Sequence, residues 1–292
     1  MKSAITKRLI VNADDFGLTK QVNLGIAQGF SRGIITSSTI LMNSKFSEHA
    51  ADLAKKRNLD VGIHLNLAEF QPLSLTKKIS KLIDKKGNFK PVLRMGYAAS
   101  SSSLVRSQIQ FELEAQIKKF NSLGLKASHV DTHHWSSMFP AINEIVLKLA
   151  KKYRISKARC AAETFSWPLC FGFKSTSLGA HTSQFLKYCL IPTLSRTTKS
   201  QFEKYNIQKT DHYYGIMQTA AKDPLEYFTA VLKNLRTGST ELMVHPGFYS
   251  RDLDKLSWYG RERELELLAL MNPKLKRLIN AQRIELIGWK EL

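Results

Sequence analysis

Short apolar, β-branched runs alternate with amphipathic stretches along almost the whole chain of 292 residues. The strand-like runs are Leu9–Asn12, Ile34–Met42, Val61–Leu67, Ser128–Thr132, Ile155–Arg159, Thr240–Val244 and Ile284–Ile287. The stretches with apolar residues at helical spacing are Gln21–Arg32, Ser47–Lys56, Leu104–Leu123, Ala141–Tyr153, Pro224–Leu235 and Glu262–Met271. Such alternation predicts parallel βαβ units with right-handed crossovers, and therefore an α/β protein.

Motifs that are missing from the sequence, together with its length, favour one architecture within the α/β class. Neither GxGxxG nor GxxxxGK[ST] occurs, which weakens the case for an open nucleotide-binding sheet. No internal repeat is present, and a single α/β barrel is commonly of this length. We predict one deformed (β/α) TIM-like barrel that spans residues 1–292 as a single domain. Within it we expect a loop at Ser100–Ser103 and an irregular insertion, poor in acidic side chains, at about residues 165–204.

The charge of the chain indicates what its surface could bind and says little about the fold. The chain has 44 Lys and Arg against 24 Asp and Glu, a net charge of +20. The densest basic cluster, opposed only by Asp84, consists of Lys77, Lys78, Lys81, Lys85, Lys86 and Lys90. A helix there could present a basic face to phosphates or anionic lipid head groups, although such faces are most often simply solvated. No nucleic-acid-binding motif accompanies the cluster, so we expect no specific nucleic-acid partner.

Cysteine usage and the apolar runs indicate the compartment. Cys160, Cys170 and Cys189 form no CxxC pair, which argues against a disulfide framework and a thiolate zinc site. The run Leu9–Val11 is too short for a signal peptide, and Tyr188–Leu194 is too short to span a bilayer. We predict a cytoplasmic protein. Peripheral contact of its basic surface with the inner face of the membrane is an open alternative.

Two adjacent carboxylates follow the first predicted strand, in the segment Asn12–Gly17 (NADDFG). Barrels deliver their catalytic side chains at the carboxyl ends of strands. Adjacent acids repel each other and resist full ionisation unless a cation lies between them. This favours a metal site in which one acid is a ligand and the other a base. An Asx turn that caps the following helix explains Asp14 and Asp15 equally well at this stage.

Histidines lie in or at the ends of three further predicted strands. His64 lies in the apolar run GIHLNL, where a hydrogen-bonded core histidine is a more common explanation than a metal ligand. In HVDTHHW a period of two places His129, Asp131 and His133 on one face, and burying them is costly without a metal or mutual pairing. His245 ends the strand of ELMVHPG, where it could donate a proton or be incidental to a turn. In a barrel these strand ends meet at one rim, and two histidines with one aspartate make a three-ligand metal set.

Together these motifs make the chain similar to the YdjC-like carbohydrate deacetylases, which include deacetylases of chitooligosaccharides and of hopanoid-associated amino sugars. The matching segments, in order, are LIVNADDFG, GIITSSTILMN, GIHLNL, HVDTHH, DHYYG and ELMVHPG. The resemblance implies a deformed barrel and metal-dependent removal of an N-acyl group, usually acetyl, from an amino sugar, oligosaccharide or glycolipid. It also implies one divalent cation, with Zn or Mg favoured, and homo-oligomers are common in the family.

The resemblance also implies roles for individual residues. The implied metal ligands are Asp15, His64 and His133. Asp14 would be the general base, and His245 a general acid or an orienter of the acyl group. Apart from the resemblance, the HVDTHH spacing predicts that Asp131 orients a ligating imidazole, and we expect His129 likewise to support the ligands without binding the metal. The chain departs from relatives that carry an HHHxH stretch, since it has HHWSS after Thr132, and this puts the substrate contacts beyond the ligand in question.

Two other functions stay open on the sequence. A glycoside hydrolase on the same barrel needs two carboxylates roughly 5 to 10 Å apart across the sugar, which the adjacent Asp14 and Asp15 fit poorly. A non-enzymatic basic protein that binds a membrane or nucleic acid would show salt-dependent binding that survives the loss of Asp15 and His133.

Overall fold

Seven parallel strands form the centre of the protein in the computed structural model, which describes residues 6–171, 174, 178–256 and 259–292. The strands are β1 (Lys7–Phe16), β2 (Ser37–Leu41), β3 (Val61–Leu65), β4 (Val130–Thr132), β5 (His212–Tyr214), β6 (Gly238–Val244) and β7 (Ile284–Leu286). Their order is β4-β3-β2-β1-β6-β5, and β7 pairs with the first residues of β1. The sheet curls into a half-barrel flanked by helices, which confirms the predicted fold class.

The gap between the edge strands β4 and β5 is crossed by the segment after Arg154. Val130 in β4 pairs with Ala158, and Lys157 pairs with Gln208 shortly before β5. These are isolated bridges, so the prediction of a strand at Ile155–Arg159 is wrong. The segment meets each neighbour at a single residue while it crosses the gap, and a regular ladder needs several consecutive pairs.

Helices cover the outside of the sheet and connect its strands. Within the described residues they are α1 (Lys20–Arg32), α2 (Ser47–Lys56), α3 (Val92–Ser101), α4 (Ser103–Ser122), α5 (Pro140–Lys152), α6 (Trp167–Phe171), α7 (Leu178–Arg196), α8 (Lys199–Tyr205), α9 (Pro224–Lys233), α10 (Arg251–Asp254), α11 (Glu262–Leu270) and α12 (Pro273–Ala281). The start of α1 shows how local sequence fixes a boundary, because the Thr19 hydroxyl accepts from the Val22 amide at 3.1 Å. No helix in the described ranges has the length and apolar character required to traverse a bilayer.

Two segments predicted to be irregular are largely helical. Residues 165–204 contain α6, α7 and most of α8, while positions 172, 173 and 175–177 of this insertion lie outside the described residues. Apolar side chains occupy exposed as well as buried positions of α7, and this obscures the helical period in the sequence. The expected loop at Ser100–Ser103 is also wrong. Only Ser102 separates α3 from α4, and its hydroxyl accepts from the Val105 amide at 3.3 Å.

The basic cluster of six lysines does not form the helical face that the sequence allowed. Only Thr76–Lys78 makes a short 3₁₀ helix there. Beyond it the carboxylate of Asp84 accepts from the amides of Lys86 and Asn88, at 2.8 and 3.0 Å, and folds the chain into a turn. Gly87 completes the turn with a φ of +81°, a conformation that interrupts any helix.

The interior of the half-barrel is polar, although its strands are buried on both faces. Along β1 the residues from Leu9 to Phe16 are all buried. Asn12 and Asp14 share one face of this strand, and the Asn12 amide donates to the Asp14 carboxylate at 2.8 Å. Buried polar side chains in parallel sheets require partners, so this interior has to be a hydrogen-bonded network. That network carries the candidate site.

Candidate metal centre

Asp14 and Asp15 line one cavity because the last residues of β1 depart from regular strand geometry. In a regular strand, neighbouring side chains would point to opposite faces of the sheet. Here the pairing of β1 with β2 shifts register between Ala13 and Phe16, and Asp15 adopts a left-handed φ of +64°. Asp14 and Asp15 therefore both border the same cavity and are both almost fully buried. Left-handed aspartates are uncommon, and such conformations concentrate at functional sites.

Three potential ligand atoms converge in this cavity. Asp15 Oδ1 lies 3.1 Å from His133 Nδ1 and 3.5 Å from His64 Nε2, and the two imidazole nitrogens are 3.1 Å apart. Tetrahedral coordination at zinc-like bond lengths of about 2.0–2.1 Å separates neighbouring ligand atoms by roughly 3.3 Å. Asp15 Oδ1 is buried, and although His133 Nδ1 lies 3.1 Å away, no donor among the described residues meets this oxygen at normal hydrogen-bond geometry. The spacing and this unsatisfied oxygen fit a bound cation.

His64 is held in one orientation by Asp131. Asp131 Oδ1 lies 2.7 Å from His64 Nδ1, and the Thr39 hydroxyl donates to the other carboxylate oxygen at 3.1 Å. This contact leaves Nε2 directed at Asp15 and His133, which is the arrangement expected of a carboxylate that orients a ligating imidazole. Burial alone would lower the pKa of His64, but the carboxylates of Asp131 and Asp14 raise it to about 10.

His133 opens a short 3₁₀ helix, His133–Met138, directly after β4. Its Nδ1 faces Asp15, while its Nε2 lies 3.3 Å from the carboxylate of Glu69 in the loop after β3. Burial opposes the charged ring, yet the carboxylate of Asp15, with a further contribution from Glu69, raises the pKa of His133 to about 9. Both imidazoles therefore sit in a strongly negative environment that also suits a cation.

His129 lies away from this cluster, although the period of two places it on the same strand face. Its ring stacks on Trp289, with centroids 4.5 Å apart and planes 11° from parallel. Trp289 in turn donates its amide to the hydroxyl of Ser37 at the start of β2, so His129 is near the amino ends of the strands. Burial lowers the pKa of His129 well below its usual value, which keeps the ring neutral.

His245 follows β6 and borders the same cavity as the two aspartates. Its backbone amide donates to Glu266 at 2.7 Å, and Glu266 also accepts from the hydroxyl of Tyr259. The side-chain Nδ1 of His245 is buried without a hydrogen-bond partner among the described residues. Burial lowers the pKa of His245 to about 4, so the ring is neutral at pH 7. A neutral ring can accept a proton before it donates one.

A cavity of about 170 Å³ opens over these residues. Its wall is built from Asp14, Asp15, His64, Glu69, His133, His134, Trp135, Arg159, Gln184, Lys187, Met243, His245 and Arg263, with Leu18, Thr132, Thr219, Leu256 and Tyr259. The cavity thus brings together five of the predicted site residues, with Asp131 behind His64 and His129 apart.

A sequence model of YdjC-like proteins matches residues 8–281. The chain belongs to the YdjC-like protein family. The carbohydrate deacetylase of Clostridium beijerinckii is 32% identical over 286 residues, which cover 98% of this chain and 100% of the relative. The carbohydrate deacetylase of Brevibacillus brevis is 33% identical over 291 residues, with 98% and 99% covered. A crystal structure from Enterococcus faecalis, described provisionally as a cellobiose-phosphate cleavage protein, has 25% identity and a TM-score of 0.76, with 98% of both chains covered.

Two arginines that the sequence analysis did not single out complete the site of this YdjC-like protein. Arg159 donates to both oxygens of Asp14 at 2.7 Å, and it also contacts Asp131 and Glu241 at 2.8 Å. Arg263 donates to Asp15 Oδ2 at 2.6 Å. Burial by itself would raise the pKa of Asp14, but Arg159 brings it down to about 2. One signal was available for Arg159: it ends a predicted strand, and buried acids at a barrel rim require a counter-charge.

The departure of this YdjC-like chain from the HHHxH pattern has a structural counterpart. His134 and Trp135 both have left-handed φ angles, of +51° and +50°, and both line the cavity. His134 Nε2 is 3.2 Å from Glu69, and the indole of Trp135 donates to the hydroxyl of Tyr213 at 3.0 Å. Of the two positions that depart from the pattern, Trp135 is therefore part of the cavity wall, whereas Ser137 is not among the lining residues and instead accepts a hydrogen bond from the Thr132 hydroxyl at 3.0 Å.

Proposed function

We propose that this YdjC-like protein is a metal-dependent hydrolase that removes an N-acetyl group from an amino sugar, as part of an oligosaccharide or a glycolipid. The observation that carries the proposal is the convergence of Asp15 Oδ1, His64 Nε2 and His133 Nδ1 within 3.5 Å of one another in a buried cavity. The names of the relatives, carbohydrate deacetylases from several bacteria, support the same activity.

The donor set favours zinc over magnesium as the bound cation. Two imidazole nitrogens and one carboxylate oxygen are ligands typical of catalytic zinc, whereas magnesium prefers an all-oxygen octahedron. A divalent cation held by Asp15, His64 and His133 would acidify a water molecule and polarise the acyl carbonyl. Arg263 neutralises the second oxygen of Asp15, which leaves Oδ1 as the oxygen directed at the two histidines.

We assign to Asp14 the role of accepting the proton of the attacking water. Arg159 donates to both oxygens of Asp14 and keeps this carboxylate ionised. The side-chain amide of Asn12 donates to Oδ1 of the same carboxylate and so helps to fix its orientation. In the reaction the water oxygen bonds to the acyl carbon, the carbon–nitrogen bond breaks, and one water proton passes to Asp14. The products are acetate and the free amine of the sugar.

We assign to His245 the role of returning a proton to the departing amine. An amine leaves only once its nitrogen is protonated, so a donor must border the cavity. The ring of His245 lies there, its Nδ1 has no partner among the described residues, and its backbone is fixed by Glu266. Proton transfer from Asp14 through His245 to the amine nitrogen balances the reaction without a further acid.

A direct assay tests this proposal. Protein with a measured zinc content would be incubated with N-acetylated chitooligosaccharides and, separately, with N-acetylglucosaminyl lipids, and released acetate would be quantified. We expect acetate from at least one substrate and none from Asp15→Asn or His133→Ala. Absence of acetate from the metal-loaded protein with both substrates would refute the proposal, and release of reducing ends without acetate would revive a glycoside hydrolase.

A further inference from the structure

An exposed apolar surface on α6, on α7 and at Phe165 just before α6 lies next to the candidate metal site. Six large side chains there are 45–80% exposed: Phe165, Trp167, Phe171, Leu178, Leu186 and Leu190. The rings of Trp167 and Phe171 are 4.8 Å apart, and Phe171 is 5.4 Å from Phe185 on α7, so both helices contribute to one surface. We name these six residues the α6–α7 patch. Grouped apolar exposure of this kind marks an interaction site.

The segment that carries the α6–α7 patch is basic. Residues 164–202 contain no Asp or Glu, and their charged side chains are Lys174, Lys187, Arg196 and Lys199. Tryptophan is enriched at membrane–water interfaces, and lysine and arginine close to a bilayer are attracted to anionic lipids. On an anionic bilayer the apolar side chains would enter the head-group region, and Lys174, Arg196 and Lys199 would be attracted to lipid phosphates. Lys187, in contrast, lines the cavity.

The same helix connects the patch to the site. Gln184 and Lys187 of α7 line the cavity that contains Asp15 and His133. Leu186, adjacent in sequence to Lys187, is 69% exposed. A surface that binds the α6–α7 patch would therefore lie close to the cavity wall.

We propose that the α6–α7 patch docks this protein on the surface of an anionic lipid bilayer. The extension to catalysis rests on the proposed function: docking would bring the cavity to amino sugars attached to lipids in that surface. A second copy of the chain fits the patch less well. A twofold interface places the same patch on both copies, so it would bring identical cations together between two chains that each carry a net charge of +20.

Vesicle sedimentation with a matched pair of variants tests the proposal. Trp167→Glu/Leu186→Glu alters the patch at residues that are 66% and 69% exposed. Leu104→Glu/Leu268→Glu introduces two glutamates at apolar residues that are 51% and 56% exposed elsewhere. Both variants lower the net charge by the same amount, so they are matched in added charge. A third variant, Trp167→Ser/Leu186→Ser, leaves the charge unchanged, and circular dichroism would establish that all three fold.

We expect wild-type protein to bind vesicles of phosphatidylcholine with phosphatidylglycerol at physiological ionic strength, and not vesicles of phosphatidylcholine alone. Affinity should fall about tenfold or more in the patch variants and less than about threefold in the Leu104/Leu268 variant. Equal losses in the two glutamate variants, or no binding by wild type, would overturn the proposal. So would a wild-type oligomer that Trp167→Glu/Leu186→Glu converts to a monomer, since the patch would then be an interface between copies.

Acetate release from a soluble N-acetylated oligosaccharide separates this proposal from the proposed function. Neither Trp167 nor Leu186 lines the cavity, so the patch variants should keep their turnover of a soluble substrate. Vesicle binding without acetate release by any form would refute the deacetylase function alone. Acetate release with equal vesicle binding by all forms would refute the docking surface alone.

Discussion

Both terminal nitrogens of Arg159 donate to the carboxylate of Asp14 at 2.7 Å, across a separation of 145 residues in the chain. The same guanidinium contacts Asp131 and Glu241 at 2.8 Å. Arg159 is therefore the shared counter-ion of three buried acids from three different strands. One of these acids borders the cavity, and another orients a candidate metal ligand.

Replacement of Arg159 should damage both folding and activity. Arg159→Met removes the one guanidinium that three buried acids share and leaves Asp14 and Asp131 with His64 alone as counter-charge, so the free energy of unfolding should fall by about 3–5 kcal/mol. Arg159→Lys keeps the charge but cannot bind both oxygens of Asp14, so it should fold and lose turnover. Urea denaturation and acetate assays measure the two effects. Wild-type turnover by Arg159→Lys would contradict the role given to the bidentate contact.

Removal of the Asp131 charge should weaken metal binding. Asp131→Asn loses the carboxylate that fixes His64, and affinity for zinc should fall about 10- to 100-fold. Competition with a chromogenic chelator measures this change. Asp211→Asn is the control, because Asp211 also binds neighbouring groups, the amide and hydroxyl of Ser239, but lies outside the cavity. An equal loss of affinity in both variants would show that the effect on zinc is not specific to His64.

His245 should affect turnover without affecting the metal. His245→Gln removes the proposed proton donor, and kcat should fall by about 10²- to 10⁴-fold while zinc content stays constant. His49→Gln, at a histidine on α2 that contacts Asn23, should leave kcat unchanged. If His245→Gln lost zinc instead, His245 would have to be reassigned as a ligand.

Glu163 should make stability depend on pH. It is buried, and burial raises its pKa to about 8 even though the amides of Gly215 and Ile216 donate to its carboxylate. Between about pH 4.5 and pH 8 the folded protein therefore keeps a proton that the unfolded chain has released, so this contribution to stability falls as pH rises.

The measurement is the free energy of unfolding of wild type minus that of Glu163→Gln across this range. Other titrating groups are common to both proteins and cancel in the difference. We expect the difference to decline by up to about 1.4 kcal/mol per pH unit and to level off above pH 8. A difference that is constant from pH 5 to pH 9 would show that Glu163 is ionised in the folded protein.

The strands and helices were predictable where interactions between residues close in sequence determine them. The alternation of apolar runs and helical spacing predicted most strands and helices, because burial and helix capping act over a few residues. Failures occurred where local sequence is ambiguous: α7 lacks a clear polar face, and Ile155–Arg159 crosses a gap in the sheet instead of joining a ladder.

By itself, the sequence determined the α/β class, the strand ends that carry acids and histidines, and the candidate ligands Asp15, His64 and His133 through a family resemblance. Only the tertiary structure decided that both aspartates line one cavity and that His129 stacks on Trp289. It also decided which cations balance the buried acids. Arg263 reaches Asp15 across 248 residues, and no local pattern identifies such a partner among 44 lysines and arginines. Charge compensation in a buried site depends on which distant segments pack together, and the folded chain alone specifies that packing.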